Sequence, residues 1–237
     1  MPNKILSTPE NLQVLYEDNH LIAINKRPGD IVQGDRTGDT PLSDVVREYI
    51  RVKYEKPGNV YLGVVHRLDR PTSGVVIFAR TSKALPRLNR LFKEKEAKKS
   101  YWAIVRTAPP DQQGILIHYM KRNPKQNKSY AHIKEVPDSK KAVLEYRIIS
   151  RLDRYVLLEV DLHTGRHHQI RSQLSAIGCP IRGDLKYGYD RSNIDGSISL
   201  HARKLVLQHP VQKRVLTLSA PVPEDPLWQA AAGSVRG

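Results

Sequence analysis

The chain predicts an α+β fold with a largely antiparallel sheet, on three observations. Short apolar, β-branched runs recur along its length, only isolated segments show helical spacing, and the strands come in runs rather than alternating regularly with helices. Val14–Tyr16 and Leu21–Ile24, separated by the polar Glu17-Asp18-Asn19, predict an opening β-hairpin. A glycine-bearing loop (Pro28-Gly29, Gly34, Gly38) leads to Thr40-Pro41, a helix cap followed by a proline suited to the first helical position. Leu42, Val45, Val46, Tyr49 and Ile50 then make one apolar helical stripe that stops by Pro57-Gly58. Tyr61–Val65 and Gly74–Ala79 read as strands around the polar segment HRLDRPTS.

A basic amphipathic helix is expected over 82–98, with Leu85, Leu88, Leu91 and Phe92 inward and Pro86 tolerated in its first turn. Strands are expected at Tyr101–Val105, Ile115–Ile117, Val143–Ile149 and Val156–Leu162. A single helix interrupts them at His167–Ile177, where Ile170, Leu174 and Ile177 share a face and Gly178 supplies the stop. Leu205–Leu207 and Val215–Leu218 close the pattern. No internal repeat or low-complexity linker breaks the chain, so one domain over 1–237 is expected.

Composition narrows the class. Of 237 residues, 39 are Lys or Arg against 24 Asp or Glu, a net charge of +15, and 39% are hydrophobic, enough for an ordinary core. No apolar run approaches the ~20 residues of a membrane helix, and MPNKILSTPENLQVLYED lacks the apolar stretch of a signal peptide. One cysteine, Cys179, can form no internal disulfide, which points to a reducing, cytoplasmic setting. The charge surplus favours a polyanion as partner, because each cation placed on a phosphate releases condensed counterions. It is clustered: nine basic residues lie between Arg80 and Arg106, and seven between Lys121 and Lys141. A solvated basic face that confers only solubility is the plainer reading of such runs. A membrane surface is disfavoured, since no basic segment carries an opposing Trp/Phe/Leu-rich face.

The densest polar cluster is His66-Arg67-Leu68-Asp69-Arg70-Pro71-Thr72-Ser73-Gly74, emerging beside a strand apolar on both sides. Asp69 is therefore expected to be partly desolvated, and such a carboxylate either takes up a proton or finds a cation. Arg67 and Arg70 flank it in sequence; Arg171, at the edge of the apolar stripe three residues before Leu174, needs a partner of its own. An Asp69–Arg171 pair would satisfy both and keep the carboxylate ionised, as a nucleophile requires. An ordinary buried salt bridge is the plainer alternative.

HRLDRPTSG, with KSYWAIV and HTGRHHQIR in the same order, resembles the RluA family of RNA pseudouridine synthases; LYEDNHLIAINK and GDLKYG also fit. The resemblance runs from about Val14 to Ser219. It implies a mixed, largely antiparallel sheet with a central catalytic cleft and flanking helices, an isomerase acting on uridine in rRNA or tRNA, and no cofactor or metal. By position, Asp69 matches the catalytic aspartate, Tyr101 the tyrosine that lies against the uracil ring, and Arg171 the basic partner of the aspartate. Arg67 matches the arginine that fills the space left by the flipped uridine; Arg70, Arg166 and His167 are expected to contact RNA. The chemistry detaches uracil, rotates it and rejoins it through carbon, with no net redox change. The carboxylate attacks ribose C1′ or uracil C6, or removes a C2′ proton. The base must first leave its stack, which favours loops and bulges over RNA helices.

The family's first motif commonly reads lysine, proline, any residue, glycine, whereas here Asn25-Lys26-Arg27-Pro28-Gly29 has arginine after the lysine and the proline one position later. Many relatives carry an N-terminal S4 RNA-binding domain; with about a dozen residues before the first strand, none is expected here, and a monomer is expected. A metal site built from His66, His163, His167, His168 and His201 is disfavoured by their spacing and by the lack of acidic partners. A histidine-dependent RNA nuclease and a non-catalytic RNA-binding protein of the same fold are the rival readings.

Overall fold

The computed structural model describes residues 5–35 and 37–235, so the first four residues of the N-terminal segment read above lie outside it. In chain order the elements are β1 (Val14–Glu17), β2 (Leu21–Lys26), α1 (Leu42–Lys53), β3 (Gly63–Val64), β4 (Ser73–Ala79), α2 (Ala84–Lys93), β5 (Lys98–Val105) and β6 (Gln113–Asn123). There follow β7 (Lys128–His132), β8 (Lys140–Arg151), β9 (Val156–Leu162), α3 (Gln169–Ala176), a 3-10 turn (Leu185–Tyr187), β10 (Leu200–Gln208), β11 (Val215–Ser219) and α4 (Pro226–Gly233). The fold is α+β, and the strand pairs whose register is described are antiparallel. Among the described residues no helix is long and apolar enough to cross a membrane.

The chain divides into two compact units. The first holds the described residues up to Lys98 together with Ala202–Pro221. Its β2 and β4 are buried at every position, because both faces of their sheet are covered. Leu21, Ala23, Val75 and Ile77 pack with Leu88 and Leu91 of α2, whereas Ile22, Ile24, Val76 and Phe78 pack with Leu42, Val46 and Ile50 of α1. Strand alternation thus sends successive residues to two helices. The β1–β2 hairpin forms as expected, and the Asp18 carboxylate accepts the backbone N–H groups of His20 and Leu21 to close its turn.

Several boundaries differ from the sequence reading; β6, for one, runs over Gln113–Asn123 instead of Ile115–Ile117. Pro41 is the N-cap of α1 and not its first residue; the first orphan N–H groups, of Leu42 and Ser43, donate instead to the carbonyls of Ile31 and Val32. β3 shrinks to two residues. α2 ends at Lys93 instead of Lys98, because Lys95 adopts a left-handed φ of 62° and the Glu96 N–H returns to the Leu91 carbonyl at 2.9 Å. That is a Schellman closure with lysine in the place usually taken by glycine.

The second unit holds Lys99–His201 and the described residues from Val222 onward. Its strands run in the order β5-β9-β8-β6-β7. Trp102, Ile104 and Leu157 pack against Trp228 and Ala231 of α4. α4 escaped the sequence reading although Asp225 caps it through the Leu227 and Trp228 N–H groups and Pro226 starts it. β7 was missed as well; its sequence, KSYAH, has little strand character, and its pairing with β6 supplies the rest.

Candidate active site

Asp69 lies half-buried in the loop between β3 and β4, with Arg67 exposed and Arg70 half-buried beside it. Leu68 packs on the α1 side of the core. The loop is tied down at both ends, by a side chain at the near end and by its main chain at the far end. At the near end His66 Nε2 accepts the Ile77 N–H at 3.1 Å, and its ring stacks on Phe92 at 4.6 Å. At the far end the Thr72 N–H donates to the Asp69 carbonyl at 3.0 Å, and the Gly29 N–H donates to the Arg70 carbonyl at 2.7 Å.

The strongest tie is Lys26, 1% exposed. Its ammonium donates to three carbonyls, those of Arg27 (3.0 Å), Arg70 (3.1 Å) and Thr72 (2.6 Å). A buried ammonium needs every proton matched, and main-chain oxygens serve that need without neutralising it. Gly74 ends the loop at φ 112°, where a Cβ would come 2.3 Å from the Ala202 carbonyl oxygen, so no other residue fits. The Arg70 side chain pairs with Asp39.

Tyr101 is 8% exposed on β5, directly opposite Val160 of β9. Since Trp102 and Ile104 face α4, the alternation sends Tyr101 and Ala103 to the other face of the strand. Lys99 shares that face with Tyr101. Its Nζ lies 3.4 Å from where a Cβ on Gly165 would sit, and burial pushes its ammonium below the usual lysine pKa.

Arg171 is 5% exposed on α3, and its partner in this unit is Asp184, 1% exposed. Arg171 Nε donates to Asp184 Oδ2 at 2.7 Å and Nη2 to Oδ1 at 2.9 Å, a bidentate fork. The guanidinium carbon lies 5.0 Å from the Tyr187 ring centroid. Asp184 and Tyr187 both belong to the GDLKYG segment, which the sequence reading matched to a family without assigning either residue a task.

Arg166 and His167 precede α3. Arg166 is exposed, its Nε donating to the Lys141 carbonyl at 3.1 Å, and His167 Nδ1 meets Ser129 Oγ at 2.8 Å. His168 takes the left-handed N-cap position with φ 54°, stacks on His167 at 3.7 Å and bonds the Tyr187 hydroxyl through Nδ1 at 2.9 Å. Gln169 holds the turn from within: its Oε1 accepts from the Arg166 N–H and Thr164 Oγ1, and its Nε2 donates to the Val143 carbonyl. Thus Arg67, Asp69 and Arg70 share one pinned loop, while Arg166 and His167 lie in the turn that leads into α3, which carries Arg171. Among the described residues no three His, Cys, Asp or Glu side chains are grouped to hold a metal ion. His66 and His168 are instead engaged as described, His201 lies edge-on to Trp228, and His163 lies 3.5 Å from Glu145.

Residues 20–176 match the family model of RNA pseudouridylate synthases, and the chain belongs to that family, as its likeness to the RluA members implied. An uncharacterized RNA pseudouridine synthase of Synechocystis sp. is 34% identical over 94% of this chain and 69% of its own length. Ribosomal large subunit pseudouridine synthase C of Buchnera aphidicola is 33% identical over 93% of this chain and 70% of its own. The tRNA pseudouridine synthase C of Pectobacterium carotovorum is 33% identical over 88% and 58%. Among solved structures, human RNA Pseudouridylate Synthase Domain Containing 4 superposes with a TM-score of 0.76 at 24% identity, covering 94% of this chain and 93% of that one. The chain is an RNA pseudouridine synthase, an isomerase.

Proposed function

We propose that the protein converts uridine to pseudouridine at unpaired positions of ribosomal or transfer RNA, with Asp69 as the catalytic carboxylate. Relatives named for large-subunit rRNA and for tRNA support the choice of substrate class. The observation that carries the assignment of Asp69 is its loop: a half-buried carboxylate whose flanking carbonyls are gripped by a fully buried lysine. A reacting group gains from such rigidity because its geometry is fixed before substrate arrives. Tyr101 lies against the uracil ring and Arg171 pairs with Asp69 in this reading. Arg67 fills the gap left in the RNA stack, while Arg70, Arg166, His167 and the basic β6–β7 hairpin hold the backbone. The reaction transfers one glycosidic bond from nitrogen to carbon within a single substrate, so the reading asks for no cofactor. The protein works as a cytoplasmic monomer in this reading.

Tritium at uracil C5 tests it, because C5 exchanges its hydrogen for the bond to ribose. Purified protein with RNA that lacks the modification is expected to release tritium, and Asp69→Ala to release none above background while still binding RNA. Equal release by the variant defeats the assignment. Shortened RNA would favour the nuclease reading, and binding without release by the native protein would favour the non-catalytic one.

A further inference from the structure

We propose that Asp184 and Tyr187 are positioning residues: Asp184 fixes the plane of the Arg171 guanidinium, and Tyr187 locks the basic β6–β7 hairpin to the helix that carries it. This rests on the catalytic reading of Arg171. One 3-10 turn then sets both a reacting group and an RNA-gripping arm.

The geometry supports each half. A guanidinium is a planar fork, and a carboxylate that takes its Nε and Nη2 edge leaves it no freedom to rotate. The Tyr187 ring supports the same group from its face. Lysine in place of Arg171 could not be fixed in this way, since an ammonium has no plane.

The second half lies at the Tyr187 hydroxyl. It accepts the Ser129 N–H of β7 at 2.9 Å and bonds His168 Nδ1 at 2.9 Å, joining the hairpin to the start of α3. Ser172 of α3 donates to the Ser129 carbonyl at 2.9 Å, so both outward peptide groups of Ser129 are held. Lys186, inside the same turn, donates to the Gln126 and Asn127 carbonyls at the hairpin tip. The hairpin itself carries Lys121, Arg122, Lys125 and Lys128, the cations suited to RNA phosphates.

The two halves separate kinetically. Transcribed ribosomal and transfer RNA labelled with tritium at uracil C5 serve as substrate, with rates normalised to the fraction of protein that binds RNA. Asp184→Asn is expected to lower kcat by about 100-fold with KM within about threefold, since the fork is lost but the hairpin stays. Tyr187→Phe, which keeps the ring and loses the hydroxyl, is expected to raise KM by about tenfold with kcat within about threefold. A merely structural role would lower the amount of competent protein and move neither normalised value. Should Asp184→Asn fail to fold, Asp184→Glu keeps the charge and displaces the fork by one methylene, and a fall in kcat at unchanged KM supports the same point.

Unaltered kcat in the foldable Asp184 variant overturns the first half, and unaltered KM in Tyr187→Phe overturns the second. Full activity in Arg171→Ala would overturn the catalytic reading of Arg171 itself. An inactive Arg171→Ala beside fully active Asp184 and Tyr187 variants overturns this inference alone.

Discussion

The loop that carries Asp69 and the helix that carries Arg171 are fixed by opposite means. The first is held through its own main chain: the carbonyls of Arg70 and Thr72 are taken by Lys26 and Gly29, whatever side chains those positions bear. The second is held through side chains: Asp184 forks Arg171, Gln169 ties down Arg166 and Val143, and Tyr187 reaches Ser129. This main-chain clamp rests on one cation and one backbone N–H, and it tolerates change in the loop it holds. A side-chain network spreads its dependence over several residues, each costly to lose.

The largest effect is expected at Lys26, where the main-chain clamp gathers three of its bonds. Lys26→Met takes the ammonium from the Arg27 and Thr72 carbonyls and leaves the Arg70 carbonyl to the Gly29 N–H, and a loss of about 3–5 kcal/mol in urea unfolding is expected, together with early proteolytic cleavage in the Asp69 loop. A loss under 1 kcal/mol would mean that the loop is not held as described.

In the second unit the expected cost of one deletion is smaller, because the load is shared. Gln169→Leu removes one acceptor and one donor from the turn before α3, and about 2 kcal/mol is expected by the same measurement. An effect equal to that of Lys26→Met would erase the distinction.

A side-chain lock also exists in the first unit, and it titrates. Burial pushes the Asp18 carboxyl up, but the N–H groups of His20 and Leu21, the Tyr16 hydroxyl and His209 outweigh it and hold the group below its ordinary value of 3.8. The folded state therefore binds this proton less readily than the unfolded one. The resulting stability is complete above the ordinary value and disappears as pH falls through the lowered one. Asp18→Asn is expected to cost about 1–2 kcal/mol at pH 7, with the gap to the native protein closing on acidification. A gap independent of pH would remove the electrostatic account.

The smallest change has the opposite sign. Lys95→Gly relieves a left-handed lysine at the end of α2 and is expected to stabilise by about 0.5–1 kcal/mol, read as a rise in Tm.

The same contrast explains what could be read from sequence. The β1–β2 hairpin, the α1 stripe and the buried β4 were legible because periodicity and turn chemistry are local. The end of α2 was misjudged because its closure uses Lys95 where a glycine would have been recognised. For Arg171 the sequence stated the need for a carboxylate, yet Asp184 is thirteen residues away across an irregular segment, and spacing gives no reason to choose it. Lys26 ends the apolar run LIAINK, where a lysine reads as an exposed strand end; only the path of two loops around it makes it the interior clamp.

One detail of β7 bears on how the protein behaves among its own copies. A strand at the margin of a sheet offers bare peptide groups on which a foreign strand can grow. At Ser129 that offer is withdrawn, the amide being taken by a phenol and the carbonyl by a serine hydroxyl from the adjoining helix. The border proposed to hold RNA thereby resists templating aggregation among the chain's own copies at this residue.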